Sequence, residues 1–207
     1  MLLTLQCSFF CNFIPMETTE WSENVILVDA DYVDRVVFNL TVNFERMLNR
    51  PIPKADLAQW LVCVALDGGI PQGENEVQVI LVHGKGKSTL ENFVPADFKE
   101  ELDGKAFRDP YMGEFRLSAV QVENMVSSEE LFAQSLETLA DTKEIKRMMI
   151  VPDMEAYAHK VRPILSRVNG KDVTLLAMEP QTGSGFKQEI LGYSLMNAMG
   201  IKGDEFK

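Results

Sequence analysis

Asn24–Asp29 reads NVILVD, a short apolar run rich in β-branched residues and closed by an acid. Such a run fits a strand buried on both faces, as in parallel sheets covered by helices. Beyond Asp29 the period changes. Val33, Val36, Val37, Leu40, Phe44, Met47 and Leu48 recur at i, i+3, i+4 and i+7, which predicts an amphipathic helix ended by Pro51 and Pro53. The alternation repeats along the chain. Leu57, Trp60, Leu61, Val64 and Ala65 mark a second helix closed at Gly68-Gly69, and Val77–Val82 (VQVILV) a second strand. A short helix is expected at Pro95–Leu102, and Phe115–Val122 is a third, less apolar strand. A stripe at Leu131, Phe132, Ser135, Leu136 and Leu139 leads to a fourth strand, Met148–Val151. A helix over Tyr157–Val168, with a kink expected at Pro163, precedes a fifth strand at Val173–Met178. Phe186–Met199 supplies the last helix. Strands alternating with helical crossovers predict a three-layer α/β/α domain with a mainly parallel, five-stranded sheet.

The chain has 207 residues and a formal net charge of -11, enough length for one domain with a real core. The acidic balance argues against broad nucleic-acid binding, which relies on Lys and Arg neutralising phosphates. Three Cys exclude a disulfide scaffold, and a cytoplasmic location is expected. Residues 1–15, MLLTLQCSFFCNFIP, carry no charge. They lack the basic start and the cleavage site of a signal peptide and are shorter than a membrane span. An upstream translation start, an apolar arm packing on a partner and a degenerate export signal are the three readings. The first is preferred, with Met16 as the natural start, residues 1–23 as an extension and 24–207 as a single α/β domain.

In open α/β sheets chemistry gathers beyond the carboxyl ends of strands, where the strand order reverses. Asp29-Ala30-Asp31 follows the first strand and Asp153-Met154-Glu155 the fourth. Acids at two neighbouring strand ends would share one crevice, and hard cations such as Mg²⁺ and Mn²⁺ take carboxylates there. Asp31 and Asp153 also precede helices, so helix capping explains them equally well. Ser127 and Glu130 read as a capping box.

At VILVDAD (25–31) and MMIVPDMEAY (148–157) the chain resembles the PIN-like nuclease fold, in particular its NYN branch. The resemblance implies strand order 3-2-1-4-5. It places Asp29 at the family's first Asp with Asp31 beside it, and Asp153 and Glu155 at its two late acids. Pro152 stands for the family's Gly and Tyr157 lies near its Phe. It further implies a metal-dependent ribonuclease, in which Asp29, Asp31, Asp153 and Glu155 hold Mg²⁺ or Mn²⁺ and Asp29 and Asp153 serve catalysis on RNA. One departure matters: where the family carries an acid inside the helix before the fourth strand, this chain offers Gln134 or Ser135.

Two readings therefore stand side by side. One is a metal-dependent ribonuclease; the other is a non-catalytic interaction or regulatory protein on the same scaffold, working with a protein partner or as a homo-oligomer. Other signals are weaker. His83-Gly84-Lys85-Gly86-Lys87-Ser88 has Leu81 where a nucleotide loop needs Gly, so it reads as a flexible basic turn. Cys63 is expected to be a buried thiol, and His83 and His159 lack partners at zinc spacing.

Overall fold

The computed structural model describes residues 21–123 and 126–206. The extension expected over residues 1–23 and the Met16 start fall almost wholly outside the described residues.

Strand β1 (Asn24–Asp29) is buried along its whole length. Its side chains alternate between two cores: Ile26 and Val28 face one, Val25 and Leu27 the other. That two-sided burial is why the run carries no polar residue between Asn24 and Asp29. Helix α1 (Ala30–Leu48) begins without a linker and ends at Asn49, whose left-handed backbone (φ 51) stops the helix ahead of Pro51. A two-residue strand β2 (Ala55–Asp56) leads into α2 (Leu57–Asp67). Strand β3 (Glu76–His83) returns parallel to β1. The next segment holds β4 (Phe93–Val94), paired in parallel with β2, and one wide helical turn at Phe98–Leu102. The turn is shorter than the helix expected at Pro95–Leu102: Asp97 caps it, which leaves Pro95 outside.

Strands β5 (Ala106–Asp109) and β6 (Gly113–Gln121) form a hairpin. Then come α3 (Ser128–Asp141), β7 (Arg147–Val151), α4 (Met154–Leu165), β8 (Asp172–Ala177), β9 (Lys187–Ile190) and α5 (Leu191–Ala198). The main sheet runs β5-β6-β3-β1-β7-β8-β9, all parallel except β5. The architecture is thus α/β with a mainly parallel sheet, and the expected five-stranded sheet is corrected to seven strands. The two additions, β5 and β9, are edges. Each is four residues long with alternating exposure, so neither produces an apolar run.

Helices α1, α2 and α5 pack on one face, and α3 and α4 on the other. Trp60 on α2 is 1% exposed; its ring meets Phe93 and its indole N–H donates to Ser194 Oγ on α5, joining α2, α5 and the loop strand β4. Gly68, just past α2, lies so close to β7 that a Cβ there would sit 2.4 Å from Met149 Cγ, so a side chain would force Met149 out of its buried place. The left-handed residue of that helix end is Gly69. Two further expectations change. Helix α4 departs from helical geometry at Tyr157 (φ -137, ψ 33) rather than at Pro163. Cys63 is half-buried. Among the described residues, no helix is long and apolar enough to cross a membrane.

Asp67, in the last turn of α2, carries a testable consequence of this packing. Partial burial, with Glu189 of β9 nearby, pushes its carboxyl up to about 6, and an acid at a helix C-terminus opposes the dipole. Because its proton is held more tightly in the folded state, its contribution is most favourable below the unfolded pKa and is lost as pH rises through about 6. Asp67→Asn should therefore raise the Tm at pH 7.5, with the gain shrinking as pH falls toward the unfolded carboxylate range. A gain of equal size at both pH values would contradict this.

Candidate functional site

Adjacent strands β1 and β7 send their following helices to opposite faces: α1 joins α2 and α5, and α4 joins α3. Their carboxyl ends flank the point where strand order reverses, the usual place for a crevice. Asp29 ends β1, and Asp153 stands two residues past the end of β7. Both are almost fully buried, at 6% and 7% exposure.

Each acid caps a helix. Asp29 Oδ1 accepts from the Tyr32 N–H (3.0 Å), and Asp153 Oδ1 accepts from the N–H groups of Glu155 (3.1 Å) and Ala156 (3.0 Å). The sequence points to Asp31 and Asp153 as the caps; on α1 the cap is Asp29. The second oxygens reach across the crevice. Tyr157, on α4, donates its hydroxyl to Asp29 Oδ2 at 2.6 Å, and the phenolic oxygen accepts the Asp153 N–H at 3.1 Å. In the other direction Arg35, on α1, reaches Asp153 Oδ2 at 2.5 Å, with its guanidinium carbon 5.5 Å from the Tyr32 ring centre. The two contacts run in opposite senses between the β1–α1 and β7–α4 units and form a latch.

Burial is the largest influence on Asp29 and raises its pKa, outweighing the hydrogen bonds from Tyr157 and Tyr32; Asp31 and Asp153 push the same way. Burial raises Tyr157 as well, and its bond to Asp29 holds the phenol protonated. Tyr32 is pushed up to about 12, chiefly by burial. The Tyr157 hydroxyl is therefore a fixed donor at neutral pH.

The remaining expected residues point elsewhere. Asp31 Oδ2 accepts the Gly84 N–H from the turn after β3 at 2.7 Å. Its buried Oδ1 lies 3.3 Å from Lys87 Nζ, outside hydrogen-bonding geometry. Glu155 is exposed in the first turn of α4. Ser135 faces a small cavity of about 60 Å³ with Trp21, Gln78, Ile80 and Ser118, while Gln134 is exposed. The Ser127–Glu130 capping box is formed as expected.

The donor set fits Mg²⁺ or Mn²⁺ poorly. All four carboxylate oxygens of Asp29 and Asp153 already accept hydrogen bonds from the protein, and a hard cation would have to displace Arg35 or Tyr157. Among the described residues, no group of three or more His, Cys, Asp and Glu side chains is placed to hold a metal ion. A larger cleft of about 690 Å³ lies at the opposite end of the sheet, between the C-terminal ends of α3 and α4. Its Arg167 pairs with Glu137, and its Lys171 donates to the carbonyls of Thr142 and Ile145.

Sequence reasoning did not find Arg35 and Tyr157 as partners of the acids. For Tyr157 a signal exists: it lies four residues after Asp153, and helical side chains lean toward the N-terminus, so its ring returns to the strand end. Arg35 leaves no comparable trace.

Fold and crevice define an α/β domain with a mainly parallel sheet and a latched strand-end crevice. Within that class the chain belongs to a family of unknown function, DUF6621, matched over residues 18–206. No curated protein and no solved structure matches it.

Tyr157→Phe removes one hydroxyl and leaves two buried groups, Asp29 Oδ2 and the Asp153 N–H, without a partner. Urea denaturation should show a loss of about 1–3 kcal/mol, the usual cost of orphaning buried polar groups. A loss below about 0.5 kcal/mol, the level of ordinary surface changes, would contradict the latch.

Proposed function

We propose that this protein is a non-catalytic interaction or regulatory module on a PIN/NYN-like scaffold, in which strand-end acids hold the domain together instead of holding a metal. The observation that carries this reading is the saturation of the Asp29 and Asp153 oxygens by Tyr32, Tyr157, Arg35 and the first turn of α4. A ribonuclease of this kind needs those oxygens for a cation that activates water and neutralises the phosphodiester. Here the charge-neutralising role at Asp153 is filled by Arg35, and Asp29 is stabilised by a phenol. The helix that would supply a third acid offers only Gln134, which is exposed, or Ser135, which faces the small cavity beside Trp21.

A protein partner or a second copy of the chain is the kind of ligand this reading implies. Phe38 and Met47 on α1 and Tyr193 on α5 are exposed at 54%, 66% and 73%, and the two helices share one layer of the domain. They offer apolar contacts for such a partner. The ribonuclease reading keeps one specific observation in its favour: the charges of Asp31 and Asp153 both raise the Asp29 pKa, so two further acids reach Asp29 at this end of the sheet.

Titration with Mg²⁺ and Mn²⁺ separates the two. A cation that binds the folded state raises stability by mass action. The module reading expects no rise in Tm through several millimolar of either ion, and no cleavage of single-stranded or structured RNA in the same buffers. A concentration-dependent rise that Asp153→Asn abolishes, accompanied by RNA cleavage, would overturn it.

A further inference from the structure

The latch leaves unused the turn after β3, His83-Gly84-Lys85-Gly86-Lys87-Ser88. We propose that this turn binds the phosphate group of a small phosphate-bearing molecule. Lys85 is exposed and, among the described residues, has no ion pair. The N–H groups of Lys85, Gly86 and Ser88 have no acceptor among the described residues, and the Lys87 N–H makes only a long bond (3.4 Å) to the Gly84 carbonyl. Gly86 holds the turn open at φ +85, a conformation that L side chains rarely adopt. One unpaired ammonium group (Lys85), a second shared with Asp31 (Lys87) and several free amide donors therefore sit on six consecutive residues at the carboxyl edge of the sheet.

A second, independent observation lies beneath the turn. His83 is 5% exposed and its ring stacks on Phe98 with centroids 3.9 Å apart, yet its Nδ1 is buried without a hydrogen-bond partner. Buried polar atoms in folded proteins are nearly always paired, and here the backbone of Gly84 and Lys87 comes near the ring without completing a hydrogen bond to Nδ1. Burial lowers the His83 pKa, so at neutral pH the ring is uncharged and carries one N–H donor. The turn also touches the first turns of two helices. A Cβ on Gly84 would come 2.7 Å from Asp31 Oδ2 and 3.8 Å from Ser128 Oγ of α3.

Asp31 is the acid that meets this turn: its Oδ2 accepts the Gly84 N–H, and its Oδ1 has Lys87 Nζ 3.3 Å away as counter-ion but no hydrogen bond. The site is not a nucleotide P-loop, since Leu81 lies within β3 and the chain after Ser88 runs into β4 rather than a helix. It is a simpler site of charge-assisted hydrogen bonds to one phosphate. It adds a ligand class to the binding-module reading and rests on it. RNA cleavage would overturn that reading, whereas failure of phosphate binding overturns only this one.

The test is calorimetric titration of the full chain, at low ionic strength, with inorganic phosphate, pyrophosphate and a 5′-mononucleotide. Saturable binding is expected, weakened about tenfold or more by Lys85→Gln, the scale of one lost charge-assisted bond. Lys85 makes no ion pair among the described residues, so circular dichroism should show this variant folded. Gly86→Val should weaken binding as well, and Lys143→Gln, at the opposite end of the sheet, should leave it unchanged. Tighter binding of the nucleotide than of phosphate assigns the ligand to nucleotides; equal binding assigns it to phosphate alone. Absence of saturable binding by all three, or unchanged affinity in folded Lys85→Gln, would overturn the proposal.

Discussion

The Tyr157 hydroxyl, donating to Asp29 and accepting from the Asp153 backbone, is the contact that ties the β1–α1 and β7–α4 units together at the switch point. A parallel sheet whose helices diverge to opposite faces must open at the switch point. There the opening is lined by two carboxylates that are nearly inaccessible to water. A buried carboxylate without partners is costly, whichever protonation state it adopts. Tyr157 and Arg35 meet that cost from opposite sides, one from α4 toward β1 and one from α1 toward β7. The irregular backbone at Tyr157 lies at the residue that makes the contact. Closing the crevice in this way commits the acids to structure.

The parts of the fold that were legible in the sequence are those from which water is excluded. Strands β1, β3, β7 and β8 are covered on both faces, so each appears as a mainly apolar run, even with Gln78 buried in β3 and Thr174 buried in β8. The edges β5 (AFRD) and β9 (KQEI) bury little and read as loop or as the start of a helix. The two-residue strands β2 and β4 pair where Phe93 of β4 meets Trp60 of α2, a tertiary contact with no local pattern. Pro163 misleads for a different reason. The departure from helical geometry in α4 falls at Tyr157, the residue that makes the latch contact, and not at the proline.

At the candidate site, the positions of the acids were legible and their partners were not. Strand ends can be counted along the chain, and Asp29 and Asp153 fall at two neighbouring ones. Whether a carboxylate there meets a cation, a guanidinium or a phenol depends on residues distant in sequence, such as Arg35 opposite Asp153. Even the helix cap moved by two residues, from Asp31 to Asp29, and freed Asp31 to hold the turn after β3. The net charge of -11 keeps its first meaning in this light. It does not gather into a cation cage at the strand ends, because Arg35 and Lys87 stand against Asp153 and Asp31.

A double-mutant cycle over Asp29→Asn and Tyr157→Phe tests the central claim most directly, since it isolates the interaction from the separate costs of each change. If the acids belong to a latch, the two residues are coupled by about 1–3 kcal/mol in urea unfolding. Additive effects, with coupling within about 0.3 kcal/mol of zero, would contradict the latch and return Asp29 to a role other than holding the domain closed.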